Sequence, residues 1–295
     1  MNYNIIEEKD RIILKDMKNF DPKHIFECGQ AFRWTVEEDN SYTTVAYGKV
    51  LNVKKENNDI ILSNTNREDF DNIWYNYFDL DRDYDEIKKE LSKDKILAEA
   101  IKFGEGIRIL NQEPFEMVIS FITSANNQIP RIKKSIELMS KHYGEKINTD
   151  DLSRKEYYSF PKAESLSKAK AEDLKEICKV GFRGERIVQT SKIIADGELN
   201  LDSIYNLSRN EGKELLMTLP GVGPKVSDCI LLFAFNKDDA FPVDVWVKRV
   251  MEHFYLKEDT NVKLIGSHGA RIFGSLAGFA QQYLFYYARE LGIGK

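Results

Sequence analysis

Two patterns divide the chain. From Ala31 to Asn64 there are short runs with strand character: AFRWTV, SYTTVAYG, KVLNVKK and DIILSN. Turn-prone breaks part them, such as EEDN at 37–40 and ENND at 56–59. Short runs rich in β-branched and aromatic residues, parted by turn-prone breaks, predict a small antiparallel sheet. The segment DNIWYNYFDL then turns toward helix. From about Asp83 the spacing becomes three and four, the period of an amphipathic helix. YDEIKKELS, DKILAEAIKF, PFEMVISFITSA and IPRIKKSIELMSKHY carry it, then AEDLKEICKV, ERIVQTSKIIADG, EGKELLMTL, KVSDCILLFAF and VDVWVKRVMEHFY. A last run, HGARIFGSLAGFAQQYLFYYARELG, reads as one long helical pattern. The prediction is an α+β chain: a β-rich domain over 1–105, then a mainly helical domain over 106–295.

Composition narrows the class. Hydrophobic residues make up 42% and aromatics 12%, enough for a sizeable core. No stretch approaches the roughly 18 consecutive apolar residues of a membrane span. The start, MNYNIIEEKDR, lacks the basic and apolar regions of a signal peptide, so an intracellular setting is expected, cytoplasmic in a prokaryote or nuclear in a eukaryote. Cys28, Cys178 and Cys229 are too few and too scattered for a zinc site, a disulfide framework or a four-cysteine iron–sulfur cluster. The net charge of −5 argues mildly against nucleic acid, but a local basic face or backbone amides bind phosphate in acidic proteins too.

The most informative segment is EGKELLMTLPGVGPKVSDCILLFAF, two helical patterns flanking Leu219–Gly223 and predicting a helix-hairpin-helix over about 211–237. Glycines at 221 and 223 allow a tight turn and close approach of a partner to the backbone. Pro224 suits the first position of the second helix. The unpaired amides of the loop and the new helix, with Gly221, Gly223 and Val226 among their carriers, form an anion site suited to one DNA phosphate. Alone, this hairpin also fits a non-enzymatic DNA-binding module. Lys225 lies in the first helical turn beside it. The positive end of a helix disfavours an ammonium and so favours the free amine that a nucleophile needs. Nineteen residues on, Asp244 is placed to cap the pattern VWVKRVMEHFY.

With LPGVGPKVSDC followed by FPVDV, the sequence resembles the helix-hairpin-helix DNA glycosylases, and more narrowly the 8-oxoguanine DNA glycosylase family, over nearly its whole length. The resemblance implies a TATA-binding-protein-like sheet in the N-terminal domain, with Lys225 as nucleophile and Asp244 as catalytic carboxylate. Gly29-Gln30-Ala31-Phe32-Arg33-Trp34 resembles the GQ-x-FRW signature. It implies that the carbonyl of Gly29 accepts a hydrogen bond from N7–H of the oxidised base, where intact guanine has only a lone pair. The family match of Gly278–Phe285 implies that Gln281 meets the base edge and Phe285 stacks on its face; Cys229 stands against the other face. Ser124–Arg131 resembles SSNNNIxR, giving Asn126 and Arg131 the orphaned cytosine and the vacated stack. Gly181-Phe182-Arg183 resembles GYR, giving Phe182 a wedge role and Arg183 a base-reading one. Trp246 stands where metazoan members have a histidine near the lesion's phosphate, and Ala125 and Gln128 depart within the asparagine loop; these changes bear on opposite-base preference and not on the chemistry.

The expected protein is thus a monomeric N-glycosylase/DNA lyase acting on duplex DNA that contains 8-oxoguanine, with no cofactor, no metal and no membrane. The alternatives are a glycosylase of this fold for another purine lesion and a hairpin protein that only binds DNA. The Lys225/Asp244 pair and the Gln281/Phe285 face separate these, since a pure binder needs neither.

Overall fold

A computed structural model describes residues 3–149 and 156–293. Strands Asn4–Glu8 (β1), Arg11–Lys15 (β2), Trp34–Val36 (β3), Tyr42–Ala46 (β4), Lys49–Glu56 (β5) and Asp59–Ser63 (β6) form one antiparallel sheet in the order β1-β2-β6-β5-β4-β3. The strand-like runs predict the last four strands but not the first two. In β1 only Ile5 is even half-buried, so this edge strand lacks an apolar face to read. Ala31–Arg33 also differs from expectation, running as irregular chain before β3. The β4–β5 turn is two residues long, with Ala46 paired to Lys49. Its central residues, Tyr47 and Gly48, both take positive φ, 52° and 68°. That is the primed turn whose twist matches the strands.

The inner face of the sheet, Ile12, Leu14, Leu51, Val53, Ile60 and Leu62, packs on Phe26, Phe70, Trp74, Tyr77 and Phe78. Each such side chain contributes roughly 1.5–3 kcal/mol relative to exposure. Helix α1 (Pro22–Glu27) joins this core and is capped by Asp21, whose carboxylate accepts from Lys23 N at 3.0 Å.

The second core is helical. Helices α2 (Tyr84–Leu91) and α3 (Lys95–Phe103) turn Ile87, Leu91, Leu97 and Ile101 into it. At its centre lie α4 (Pro114–Ser124) and a helix described below, Pro224–Ala234. Glu116–Thr123 and Val226–Ala234 are buried without a break, the mark of helices surrounded on all sides. Phe121 and Phe233 stack between them, centroids 5.6 Å apart. The C-terminal run is two helices and not one, Val262–Phe273 and Ala277–Leu291. Gly274, at φ 56°, ends the first, because a left-handed residue stops helical hydrogen bonding and glycine adopts it without strain. No helix among the described residues is long and apolar enough to cross a membrane.

Candidate active site

The predicted hairpin is present. Helix α5 (Arg209–Leu216) starts on a capping box in which Ser208 and Glu211 bond each other's backbone N–H. After the turn, helix α6 (Pro224–Ala234) begins with Pro224 at its first position. Thr190 Oγ1 donates to the carbonyl of Pro220 at 3.0 Å and ties the turn down. The two glycines differ in kind. Gly221 has φ 91°, and a Cβ there would sit 3.1 Å from Arg186 Cδ and 3.2 Å from Ile122 Cγ2. Gly223 is extended and faces open space, with no atom within 4 Å of such a Cβ. The amides of Lys225 and Val226 fall in the first turn, where a helix supplies no partner. The Val226 side chain is buried, so only its backbone is available to a phosphate.

Asp244 is the N-cap of helix α7 (Val245–Met251), and its Oδ1 accepts from Val247 N at 2.8 Å. Trp246 lies in the first turn, with the Arg249 guanidinium 5.1 Å above its ring. Lys225 and Asp244 therefore stand at the starts of two different helices, and both line one cavity of about 50 Å³. Burial raises the Asp244 carboxyl above the ordinary range, against the pull of the Val247 N–H and of Lys225. Lys225 Nζ lies 5.1 Å from the Phe121 centroid.

Helix α8 (Ala277–Leu291) brings Gln281 and Phe285 to the same cavity, and Cys28 and Gly29 close it from the N-terminal side. Cys229 lies one turn beyond Lys225, and burial pushes its thiol up to about 11 against the pull of that lysine. Cys28 donates to Ile25 O at 3.2 Å, and burial pushes its thiol up to about 12. Both are neutral at physiological pH, able to pack against a ring but not to attack.

The four residues expected at the opposite base lie outside this lining. Asn126 is exposed, with φ 52°, and Arg131 is exposed in the first turn of the helix Ile129–Tyr143. Phe182 is 60% exposed. Arg183, placed at the orphaned base by the sequence reading, is 7% exposed. Its Nε and Nη2 donate to Ala125 O at 3.0 and 2.5 Å, Nη2 also to Asn126 O at 3.0 Å, and Nη1 to Val180 O at 3.0 Å. In this conformation it holds the turn that carries Asn126. Its guanidinium also lies 4.4 Å from the Phe182 ring, which braces that exposed aromatic.

Comparison with known proteins bears on this arrangement. Residues 12–118 match the model for the 8-oxoguanine DNA glycosylase N-terminal domain, and residues 119–268 match the HhH-GPD superfamily of base excision DNA repair proteins. The N-glycosylase/DNA lyase of Saccharomyces cerevisiae is 32% identical over 258 residues, 79% of this chain and 67% of that one. A crystal structure of the Clostridium acetobutylicum 8-oxoguanine glycosylase/lyase, bound to duplex DNA with cytosine opposite 8-oxoguanine, superposes with a TM-score of 0.96. It is 49% identical and covers 99% of this chain and all of its own. The chain belongs to the 8-oxoguanine DNA glycosylase family.

In this glycosylase family member the GQAFRW segment is a bolt. Gln30 is fully buried; its Nε2 donates to Ile25 O (2.9 Å) and Arg108 O (2.7 Å), and its Oε1 accepts from Leu110 N (2.8 Å). Phe32 meets Phe121 edge-on at 5.6 Å. Arg33 pairs with Glu116 at 3.3 Å, and Trp34 Nε1 donates to Ala31 O at 3.0 Å. Every side chain of the signature is engaged in fixing the segment, and Gly29 is what it presents to the cavity. Sequence reasoning missed five residues of the lining: Cys28, Phe121, Phe233, Pro242 and Gln282. Cys28 and Gln282 adjoin Gly29 and Gln281, and Pro242 stands two before Asp244, a signal that the neighbours of site residues could have given. The two phenylalanines carry no such signal, being apolar positions in helices that are buried throughout.

Proposed function

We infer that the protein is an N-glycosylase/DNA lyase that excises 8-oxoguanine from duplex DNA and cleaves the resulting abasic strand. The observation that carries this reading is the meeting of Lys225 and Asp244, each at a helix start, in one cavity with Gly29, Gln281 and Phe285. A stacked nucleotide exposes neither C1′ nor its base edge to such a site, so the lesion must be everted. The amides of Gly221, Gly223 and Val226 hold a phosphate beside it, and Trp246 flanks the same strand. Phe182 wedges into the stack while Asn126 and Arg131 meet the orphaned base, with Arg183 at the root of their loop.

The amine of Lys225 attacks C1′ as the C1′–N9 bond breaks, and the bonding pair leaves with the base. Asp244, as carboxylate, stabilises the positive charge that develops on the sugar. Loss of a proton from nitrogen and opening of the ring give a Schiff base. Removal of a C2′ proton then expels the 3′ phosphate, and hydrolysis returns the lysine. Gly29 accepts from N7–H, Cys229 and Phe285 flank the ring, and Gln281 meets its edge. The protein acts as a monomer wherever the genome is, in the cytoplasm of a prokaryote or the nucleus of a eukaryote.

Borohydride reduction on a duplex with 8-oxoguanine opposite cytosine tests the chemistry. A covalent protein–DNA adduct is expected with the natural protein and none with Lys225→Gln. An undiminished adduct from the variant would overturn the assignment.

A further inference from the structure

An oxidised guanine and an oxidised adenine both carry N7–H. An acceptor at Gly29 therefore distinguishes oxidised from intact purines but not one oxidised purine from the other. That second distinction lies on the Watson–Crick edge. Guanine-type bases offer N–H donors at N1 and at the 2-amino group; adenine-type bases offer a bare N1 and nothing at position 2.

Two successive amides of α8, Gln281 and Gln282, line the lesion cavity, and they are only 4% and 3% exposed. Gln282 Nε2 donates to Gln281 Oε1 at 3.0 Å. This bond takes one of the two lone pairs of the Gln281 carbonyl and turns the Gln281 amino group away from Gln282. The carbonyl oxygen of Gln282 is buried and has no hydrogen-bond partner among the described residues. Such an acceptor carries an uncompensated desolvation cost unless a donor arrives. Arg289, two turns further along the helix, does not supply one: it donates to Glu27 O at 2.5 Å and pairs with Glu290 at 2.7 Å.

We propose that Gln282 is a second amide of the base pocket, which fixes the orientation of Gln281 through Nε2 and accepts through Oε1 a hydrogen bond from the Watson–Crick edge of a guanine-type base. Gln281 then serves as donor and Gln282 as acceptor, a pairing that matches O6 beside the N–H groups of guanine. An adenine-type edge would set its N1 lone pair against the Gln282 oxygen and is rejected. The proposal rests on the glycosylase reading above and deepens it.

The test is equilibrium binding in a Lys225→Gln background, which holds the everted base without excising it. Three duplexes are compared, with 8-oxoguanine, 8-oxoadenine or intact guanine opposite cytosine. Binding should favour 8-oxoguanine over 8-oxoadenine, and Gln282→Met should lower that preference about tenfold, with the loss falling on 8-oxoguanine. Methionine is of similar length, and thermal melting checks that the variant folds. Equal weakening toward both oxidised purines would make Gln282 a packing residue and overturn the proposal. So would an unchanged preference, which would mean that water meets the oxygen. Equal binding of the two oxidised purines with Gln282 intact would overturn it without any variant at that position. Failure to prefer 8-oxoguanine over intact guanine is a different outcome: it would refute the glycosylase reading and the proposal with it.

Discussion

The ring of Phe285 lies against Gly29, so close that a Cβ on the glycine would sit 2.9 Å from Phe285 Cε1 and 3.2 Å from Cζ. On the proposed function Gly29 meets the edge of the oxidised base and Phe285 its face. The ring is half-buried, on a helix whose other cavity-facing residues, Gln281 and Gln282, are buried. In this conformation the ring stands beside the glycine at the edge of the cavity of about 50 Å³.

Gly29→Ala should fold but lose activity. Its φ of +82° strains any L-residue by roughly 1–2 kcal/mol, and the added methyl meets the ring. Thermal melting should show a drop of several degrees, and single-turnover excision of 8-oxoguanine should slow by about tenfold or more. A natural excision rate would show that this backbone is not where the base is read.

Asp244→Asn should separate stability from activity. Asparagine caps a helix as well as aspartate does, so the bond to Val247 survives. In the folded protein the Asp244 carboxyl holds its proton to higher pH than in the unfolded chain. Its contribution to stability is therefore full below the unfolded carboxylate value, near 3.9, and is lost as pH rises through the higher folded value. The variant should match the natural protein's melting temperature in acid and exceed it at neutral pH, while its excision rate falls by orders of magnitude. A melting difference that shrinks as pH rises would contradict this sign.

Arg183→Lys tests the strut. One ammonium cannot span the carbonyls of Ala125, Asn126 and Val180 as the guanidinium fork does. Hydrogen exchange at residues 125–128 should accelerate, and excision should become less sensitive to the base opposite the lesion. Borohydride trapping on a preformed abasic site, which needs only Lys225, should stay within about twofold. Loss of trapping would place Arg183 in the chemistry rather than beneath the loop.

Much of this was legible because local rules and site rules coincide at the hairpin. The glycine turn, the proline at the helix start and the lysine behind it are adjacent in sequence, and their geometry follows from backbone constraints alone. Asp244 was legible as a cap and proves to be one, while also lining the cavity. The parts that were not legible depend on distant segments. β1 gives no alternation because it is an exposed edge. Phe121 and Phe233 read as core and serve as the cavity wall, since nothing in a helix buried on all sides marks which ring borders a void. Arg183 shows the converse: its residue type suits base reading, and only its three carbonyl partners reveal the strut.

The cap on α7 has a consequence for how the work of alignment is divided. A carboxylate that holds the first turn of a helix cannot swing to follow its target without unravelling that turn. Lys225, tethered to a turn fixed at Pro220, has little more latitude in its backbone. On the proposed mechanism the reacting groups are held in place, and the nucleotide travels to them. Mechanical compliance is then asked of the duplex, so a lesion that loosens its own stack begins the journey with a head start over an undamaged neighbour.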